Sequence, residues 1–259
     1  MNYKTILVSD NPPIRTITLN RPERRNAITQ EMQTELASAL EESALSANRV
    51  LILTGAGEAF CSGLDLSELQ TMKGKTAAEH RIDAERIGRL FVTLYELPLP
   101  TIAAVHGPAI AGGTGLATIC DFTLATPASK FGFTEARIGF VPALVSAFLA
   151  LQVGDKRCRD LLLTGRLFDA AEAHELGLVN EIVGHGELMG RAQALAETLI
   201  ANSPNSLSAT KRLLSAQNRE WLDAAIIAAM TANAESRETT DFREGVSAFL
   251  EKRKPVWRK

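Results

Sequence analysis

Two loops and one carboxylate carry the residue types from which a reactive site could be built. The loops are Ala59-Phe60-Cys61-Ser62-Gly63-Leu64-Asp65-Leu66 and His106-Gly107-Pro108-Ala109-Ile110-Ala111-Gly112-Gly113-Thr114-Gly115. Glycines there let the backbone approach a ligand closely. The first N–H groups of a helix have no internal partner, so a loop that opens a helix can bind developing negative charge. The chemistry this suggests is an oxyanion hole. Tight turns in which glycine only supplies a positive φ are the plain alternative. The carboxylate is Glu135, in Phe131-Gly132-Phe133-Thr134-Glu135-Ala136-Arg137-Ile138-Gly139-Phe140. Set among apolar residues it should be desolvated and its pKa raised, which suits a group that both gives and takes a proton. A surface pair with Arg137, or a first-turn glutamate complementing a helix dipole, would explain it without chemistry.

Weaker signals resolve toward structure. Gly74-Lys75-Thr76 echoes the end of a phosphate loop, but Leu69 stands where the earlier glycine is required, in a helical context. Cys61 beside Ser62-Gly63 lacks the flanking glycine of a nucleophile elbow and reads as a packed cysteine. His106 ends a strand and reads as structural. No His or Cys pair has zinc-ligand spacing, so no metal is expected.

The elements that must position these residues alternate. Thr5 to Val8, Ile14 to Leu19, Val50 to Leu53, Thr101 to Val105 and Phe122 to Ala125 read as strands. Thr29 is a candidate N-cap for a helix whose apolar residues fall at Met32, Leu36, Leu40 and Ala44. A polar-apolar stretch runs from Asp65 to Tyr95, and a short helix ends near Cys120. This alternation predicts an α/β core with helices packed on parallel strands. After about Leu163 helices dominate: Ala170 to Leu176, Glu187 to Ala201, Ser206 to Ala216, Trp221 to Ala234 and Phe242 to Lys252. With no Pro/Ser-rich linker before it, the helical tail should dock on the core or on a neighbouring subunit.

Composition narrows the class. Apolar residues make up 46% of 259, and Lys+Arg 28 stands against Asp+Glu 30, so no single-sign field exists to recruit nucleic acid or an anionic membrane. From Leu66 to Leu90, Lys73, Lys75, Arg81, Arg86 and Arg89 are mixed with Glu68, Glu79, Asp83 and Glu85, which reads as a solvated or lid-like face. Cys61, Cys120 and Cys158 are an odd number with no CxxC pair, pointing to a reducing compartment. Met1 to Asp10 does not read as a secretory signal, and a cytoplasmic location is expected. The longest mostly apolar run, Val141 to Leu151, is shorter than the roughly 18 residues of a membrane span and reads as a buried helix.

Taken in order, Asn20-Arg21-Pro22-Glu23-Arg24-Arg25-Asn26-Ala27, Phe60 to Leu66, Pro100 to Gly115, Cys120-Asp121, Phe131 to Pro142, Leu163-Thr164-Gly165, Ala171-Glu172-Ala173 with Gly177-Leu178-Val179, and the tail Arg243 to Lys254 resemble the crotonase (enoyl-CoA hydratase/isomerase) superfamily nearly end to end. The resemblance implies a ββα spiral core over 1–200 that holds an acyl-CoA site. It implies a helical C-terminal region over 201–259 used in trimerisation, and a homotrimer or dimer of trimers. CoA would be part of the thioester substrate, with no separate cofactor. Carried over by position, the oxyanion donors are the N–H groups of Leu64 and Gly112. Asp65, Leu66 and Ser67 would follow the pantetheine. Arg24 or Arg25, with Lys252 of the same or a neighbouring subunit, would meet the CoA phosphates.

Two departures stand out. Of the paired glutamates of such hydratases, the second matches Glu135, while the first position is occupied by Gly115. Pro142-Ala143-Leu144-Val145-Ser146-Ala147 replaces a stretch that is often glycine-rich, and should line a different acyl pocket. The phrase Phe133 to Gly139 followed by Val141-Pro142-Ala143 is similar to hydratases of the methylglutaconyl-CoA type, several of which lack the first glutamate. The expectation is an enoyl-CoA hydratase with Glu135 as acid and base. The alternatives are a Δ3,Δ2-enoyl-CoA isomerase using the same glutamate and a non-catalytic RNA- or acyl-CoA-binding protein.

Overall fold

β-Branched runs open the chain as strands, and parallel pairing further along buries the central strands Val50–Gly55 and Thr101–Val105 on both faces. A computed structural model describes residues 3–184 and 186–257. The principal sheet contains β1 (Ile6–Asn11), β2 (Ile14–Leu19), β3 (Val50–Gly55), β4 (Thr101–Val105), and two strands that follow the short β5 (Ala109–Ile110). These two are β6 (Phe122–Ala125) and, after β7 (Lys130–Gly132) and β8 (Leu167–Asp169), β9 (Glu181–Ile182). The order is β1-β2-β3-β4-β6-β9. β1 is antiparallel to β2, and every other neighbour in this sheet is parallel. The register Ile17↔Leu53↔Ala103↔Thr123 aligns the C-terminal ends of β3 and β4, so the loops that leave both ends emerge side by side. That edge is where ligands bind in open parallel sheets. A second sheet, β5-β7-β8, lies beyond it.

The helices are α1 (Gln30–Leu45), α2 (Leu66–Met72), α3 (Ala77–Glu96), α4 (Gly112–Ile119), α5 (Ala143–Thr164), α6 (Ala170–Glu175), α7 (Leu188–Ile200), α8 (Pro204–Gln217), α9 (Arg219–Ser236) and α10 (Thr240–Leu250). Thr29 caps α1 as expected, its hydroxyl accepting from Met32 N. Ala44 does not join the buried face. Steps of four residues rotate about 40° each, so the stripe drifts, and Ser43 is buried in its place, donating to Ala39 O at 2.6 Å. Gly74-Lys75-Thr76 lies in the link between α2 and α3 rather than within a helix, and Thr76 with Glu79 forms the capping box of α3. The run Val141 to Leu151 is the buried start of α5 apart from its exposed ends, and α5 bends at Gly154. On β2 the outward set is Ile14, Thr16 and Thr18. Arg15 is buried with Ile17 and Leu19 because Asp10 receives its guanidinium through two hydrogen bonds of 2.6 and 2.7 Å.

The helical tail docks on the chain's own core. α9 packs against α3 and α5, and α10 packs on the short 3-10 turn Glu135–Ile138. Close approach makes that docking possible: a Cβ on Gly245 would collide with the Ile138 carbonyl, and one on Gly139 with the Asp241 carbonyl. Among the described residues no helix is long and apolar enough to cross a membrane.

Candidate active site

The two glycine loops are bound to one another by backbone hydrogen bonds. Cys61 N donates to Pro108 O at 3.1 Å and Ile110 N to Cys61 O at 2.9 Å, while Ala111 N ties the second loop to β7 by donating to Gly132 O at 2.7 Å. A further pair ties the first loop to the chain start: Ile28 N donates to Gly63 O at 2.7 Å and Asp65 N to Ile28 O at 3.0 Å. Gly63 has φ +85, a conformation that favours glycine, and this turn directs the next peptide inward. The result leaves the N–H groups of Leu64 and Gly112 outside the backbone hydrogen-bond network of the described residues. Both residues line one cavity of about 170 Å³. Gly112 is the first residue of α4, so its N–H has no intrahelical acceptor.

Ala111, immediately before it, has φ 52 and ψ −123, a strained setting for a residue with a Cβ. Sequence reading did not find this residue. Nothing in an Ala-Gly-Gly string says that the strain falls on the alanine.

Glu135 lines the same cavity. The turn that carries it is closed by Gly139 in the left-handed region and by Phe140 N donating to Glu135 O at 3.1 Å. Its side chain is buried, Oε2 has no hydrogen-bond partner among the described residues, and burial raises its pKa to about 7. The surface pair with Arg137 is not formed among the described residues. Glu135 does open the Glu135–Ile138 turn, as a first-turn glutamate would, yet burial outweighs the backbone hydrogen bond there. A buried carboxyl without an ion-pair partner whose pKa is pushed toward neutrality can take and return a proton in one turnover.

The position of Gly115 is apolar. A Cβ there would lie 2.7 Å from Val145 Cγ1 and 3.2 Å from Phe91 Cε2 and Cζ. Phe91 and Val145 therefore occupy the space into which a second carboxylate would project, and both line the cavity. Pro142, Ala143 and Leu144 line it too, so the departure in 142–147 does shape the pocket. Phe148 packs on Phe91 and Tyr95, with ring centroids 6.3 and 5.4 Å away.

The residues expected along a CoA moiety stand apart from the cavity wall. Asp65 is 6% exposed, and its carboxylate already has partners: Arg21 Nη1 at 2.7 Å, Ser67 N at 2.9 Å and Ser67 Oγ at 2.6 Å. Burial pushes this carboxyl up, and the Ser67 and Arg21 hydrogen bonds more than offset that, leaving it below the usual range. Asp65 and Ser67 thus form the N-cap of α2, and Leu66 is exposed. Arg25 is exposed with φ 51, and its carbonyl accepts from Ser62 N at 3.0 Å. Lys252 is exposed with φ 55, just beyond α10. In place of Asp65, Leu66 and Ser67, the neighbouring Ser62 and Glu68 face the cavity.

The discarded motifs have structural explanations. Cys61 is fully buried, its thiol pushed up to about 12. His106 Nε2 lies 2.9 Å from Gly57 O, tying two loops. Lys75 binds Asp83.

The family model described as enoyl-CoA hydratase/isomerase matches residues 10–259. The chain is 46% identical over 243 residues to a Thermus thermophilus protein whose name gives enoyl-CoA hydratase as a provisional assignment, covering 93% of this chain and 96% of the other. It is 34% identical over 245 residues to the 1,2-epoxyphenylacetyl-CoA isomerase of Escherichia coli, covering 93% and 94%. Among solved structures, an enoyl-CoA hydratase/isomerase from Xanthobacter autotrophicus superposes with a TM-score of 0.89 at 31% identity over 97% of each chain. An enoyl-CoA hydratase from Mycobacterium avium subsp. paratuberculosis superposes with a TM-score of 0.88 at 27% identity over the whole of both chains.

Proposed function

Because this chain belongs to the enoyl-CoA hydratase/isomerase family, we propose that it is an enoyl-CoA hydratase working with a single carboxylate. The observation that supports this reading most is Glu135, buried with an unpartnered Oε2 in the cavity that Leu64 and Gly112 also line. The thioester carbonyl oxygen of an α,β-unsaturated acyl-CoA accepts from the Leu64 and Gly112 N–H groups. Charge that grows on that oxygen during addition is stabilised by about 2.7–4 kcal/mol per donor. Glu135 takes a proton from water as the oxygen adds at Cβ, and the same carboxyl returns it to Cα as the enolate collapses. No separate cofactor is needed, since CoA is part of the substrate.

A second reading, Δ3,Δ2-enoyl-CoA isomerisation, is favoured by the apolar wall at Gly115. There Glu135 removes a proton from C2 and delivers it to C4, and no water has to be held. The two readings separate when purified protein is given crotonyl-CoA and a 3-enoyl-CoA, wild type beside Glu135→Gln, with products followed by chromatography. A 3-hydroxyacyl-CoA that disappears in Glu135→Gln supports hydration. Accumulation of the 2-enoyl isomer alone replaces hydration with isomerisation.

The rest of the reading is proposed on position. Arg25 and Lys252 meet the CoA phosphates at the rim. The helices of 201–259 build a homotrimer or dimer of trimers, supported by exposed Leu213, Leu214, Trp221 and Ile227 on α8 and α9. Sedimentation of the purified chain tests the assembly.

A further inference from the structure

Gly112 and Glu135 act on the same thioester in either reaction, yet they stand on separate elements, the start of α4 and the turn after β7. The strands between them are short. β5 and β7 meet only at Ala109↔Phe131 and Ile110↔Gly132, and β8 supports β7 from its other edge. A ladder of two residue pairs leaves the spacing between donor and carboxyl to be fixed by something else.

Thr114, in the first turn of α4, supplies that tie. It is 0% exposed. Its Oγ1 donates toward Ala109 O at 2.5 Å and Gly132 O at 3.1 Å, and it accepts from Gly132 N at 3.1 Å. Gly132 O also accepts from Ala111 N at 2.7 Å, so the residue that ends β7 is held both by Thr114 and by the peptide just before the Gly112 donor. Gly132 stands three positions before Glu135. Ala109 in turn forms a bridge with Cys61, three positions before Leu64. One hydroxyl therefore touches the backbone that leads to both oxyanion donors and to the carboxyl.

This is not the usual bonding of a helical threonine. Thr118, one turn further on, donates to Thr114 O at 3.0 Å, the carbonyl four residues back. The corresponding carbonyl for Thr114 is that of Ile110, and its hydroxyl passes it over to bond β5 and β7 instead. A buried hydroxyl whose bonds all run to other elements fixes their register, because breaking it strands polar groups away from water.

We propose that Thr114 is a positioning residue, whose hydroxyl sets the Gly112 N–H and the Glu135 carboxyl in register on one thioester. It acts through the backbone, since Thr114 does not line the cavity. The proposal rests on the acyl-CoA reading above and serves hydration and isomerisation alike, because both use the same donors and the same carboxyl.

The test uses butyryl-CoA, a saturated thioester that neither reaction consumes, bound to the purified protein and three variants. Thr114→Val keeps the shape and removes the hydroxyl, and Thr114→Ser keeps the hydroxyl. Thr118→Val removes a buried helical hydroxyl of the ordinary kind. The infrared carbonyl band of the bound thioester reports its polarisation by the oxyanion donors. Exchange of a Cα hydrogen in deuterium oxide, followed by NMR, reports Glu135, which takes the proton from Cα and returns a deuteron to the enolate. The wild type is expected to lower the carbonyl band and to exchange. Thr114→Val is expected to return the band toward its position in solution and to slow exchange about tenfold or more, with butyryl-CoA affinity changed by less than about threefold. Thr114→Ser and Thr118→Val are expected to keep both signals.

Three results overturn the proposal: a folded Thr114→Val with wild-type band and exchange, Thr118→Val losing both signals as fully, or Thr114→Ser faring no better than Thr114→Val. If Thr114→Val does not fold, Thr114→Cys, a weaker donor of similar size to serine, takes its place. Intermediate signals are then expected, and wild-type signals overturn the proposal. If the wild type shows neither band shift nor exchange, the acyl-CoA reading fails and takes this one with it; if both signals survive in Thr114→Val, only the role of Thr114 fails.

Discussion

Arg21 Nη1 lies 2.7 Å from Asp65 Oδ2 and also donates to Ala27 O at 2.7 Å, so the start of the chain grips the residue that follows the Leu64 N–H. The two residues are 44 positions apart, and neither lines the cavity. Their effect on chemistry must pass through the Gly63-Leu64 turn. Removing one partner of a largely buried pair leaves the other uncompensated, so Arg21→Met should cost about 2–4 kcal/mol of stability. It should also lower kcat more than it raises KM, because the donor it steadies acts on the transition state. Denaturant melts together with steady-state kinetics check both; a change in KM alone would place the pair outside the oxyanion loop's control.

Glu135 sets the pH response of activity. With its pKa near 7, the carboxylate that accepts a proton is depleted below neutrality. The kcat/KM profile is expected to fall tenfold per pH unit below about 7 and to level off above it. Glu135→Gln should abolish the reaction while CoA-thioester binding survives. A profile flat down to pH 5 would remove Glu135 from the rate-limiting proton transfer.

The same residue should leave a mark on stability. Its folded-state pKa is raised from 4.5 to about 7, so between those values the native state holds the extra proton and stability falls as pH rises. Above about 7 the whole cost is present, on the order of 3 kcal/mol for a shift of this size. Glu135→Gln, which never ionises, should therefore gain stability relative to wild type at pH 8 by more than it does at pH 4.5. Paired thermal melts at the two pH values measure the difference, and an equal offset at both would contradict the burial argument.

Gly115 tests why a second carboxylate is missing. Val145 Cγ1 lies 2.7 Å from where a Cβ on this residue would sit, so Gly115→Glu should overpack the wall and destabilise by about 1–3 kcal/mol. Pairing it with Val145→Ala opens space beside Phe91. The double variant should raise hydration relative to double-bond migration when both products are quantified. If the product ratio stays unchanged in a folded double variant, the wall does not decide between the reactions.

Ala111 stores strain next to Gly112. Ala111→Gly should relieve it and stabilise the fold by up to about 1 kcal/mol, while a β-branched Ala111→Val should destabilise by about 2 kcal/mol or more. Chemical denaturation of the three proteins orders them, and the reverse order would mean that the φ of 52 carries no cost.

What the sequence alone determined are features with a local physical cause. β-Branched runs bounded by turn residues placed Ile14–Leu19, Thr101–Val105 and Phe122–Ala125 as strands with the bounds the structure has. Thr29 could be read as a cap because a hydroxyl before an apolar stripe satisfies an orphan N–H within four residues. The two glycine loops and Glu135 were legible from the company they keep, and the ordered motifs pointed to the family. Tertiary structure decided what depends on pairing across the chain. Asp65 sits in a loop beside the site, yet Arg21, brought in from 44 residues away, turns it to holding the α2 cap. Phe91 and Val145 meet over Gly115 only after α3 and α5 pack together, so its apolar surroundings have no signature in the Gly-Gly-Thr-Gly string. Arg237 has nothing in its local sequence to mark it off from the other charges of the helical tail; burial near Phe140 and Asp83 leaves its Nε and Nη1 without hydrogen-bond partners among the described residues, while Nη2 is held by Asn233. Hydrogen bonds and desolvation are set by neighbours in space, and for these residues the neighbours lie on other elements.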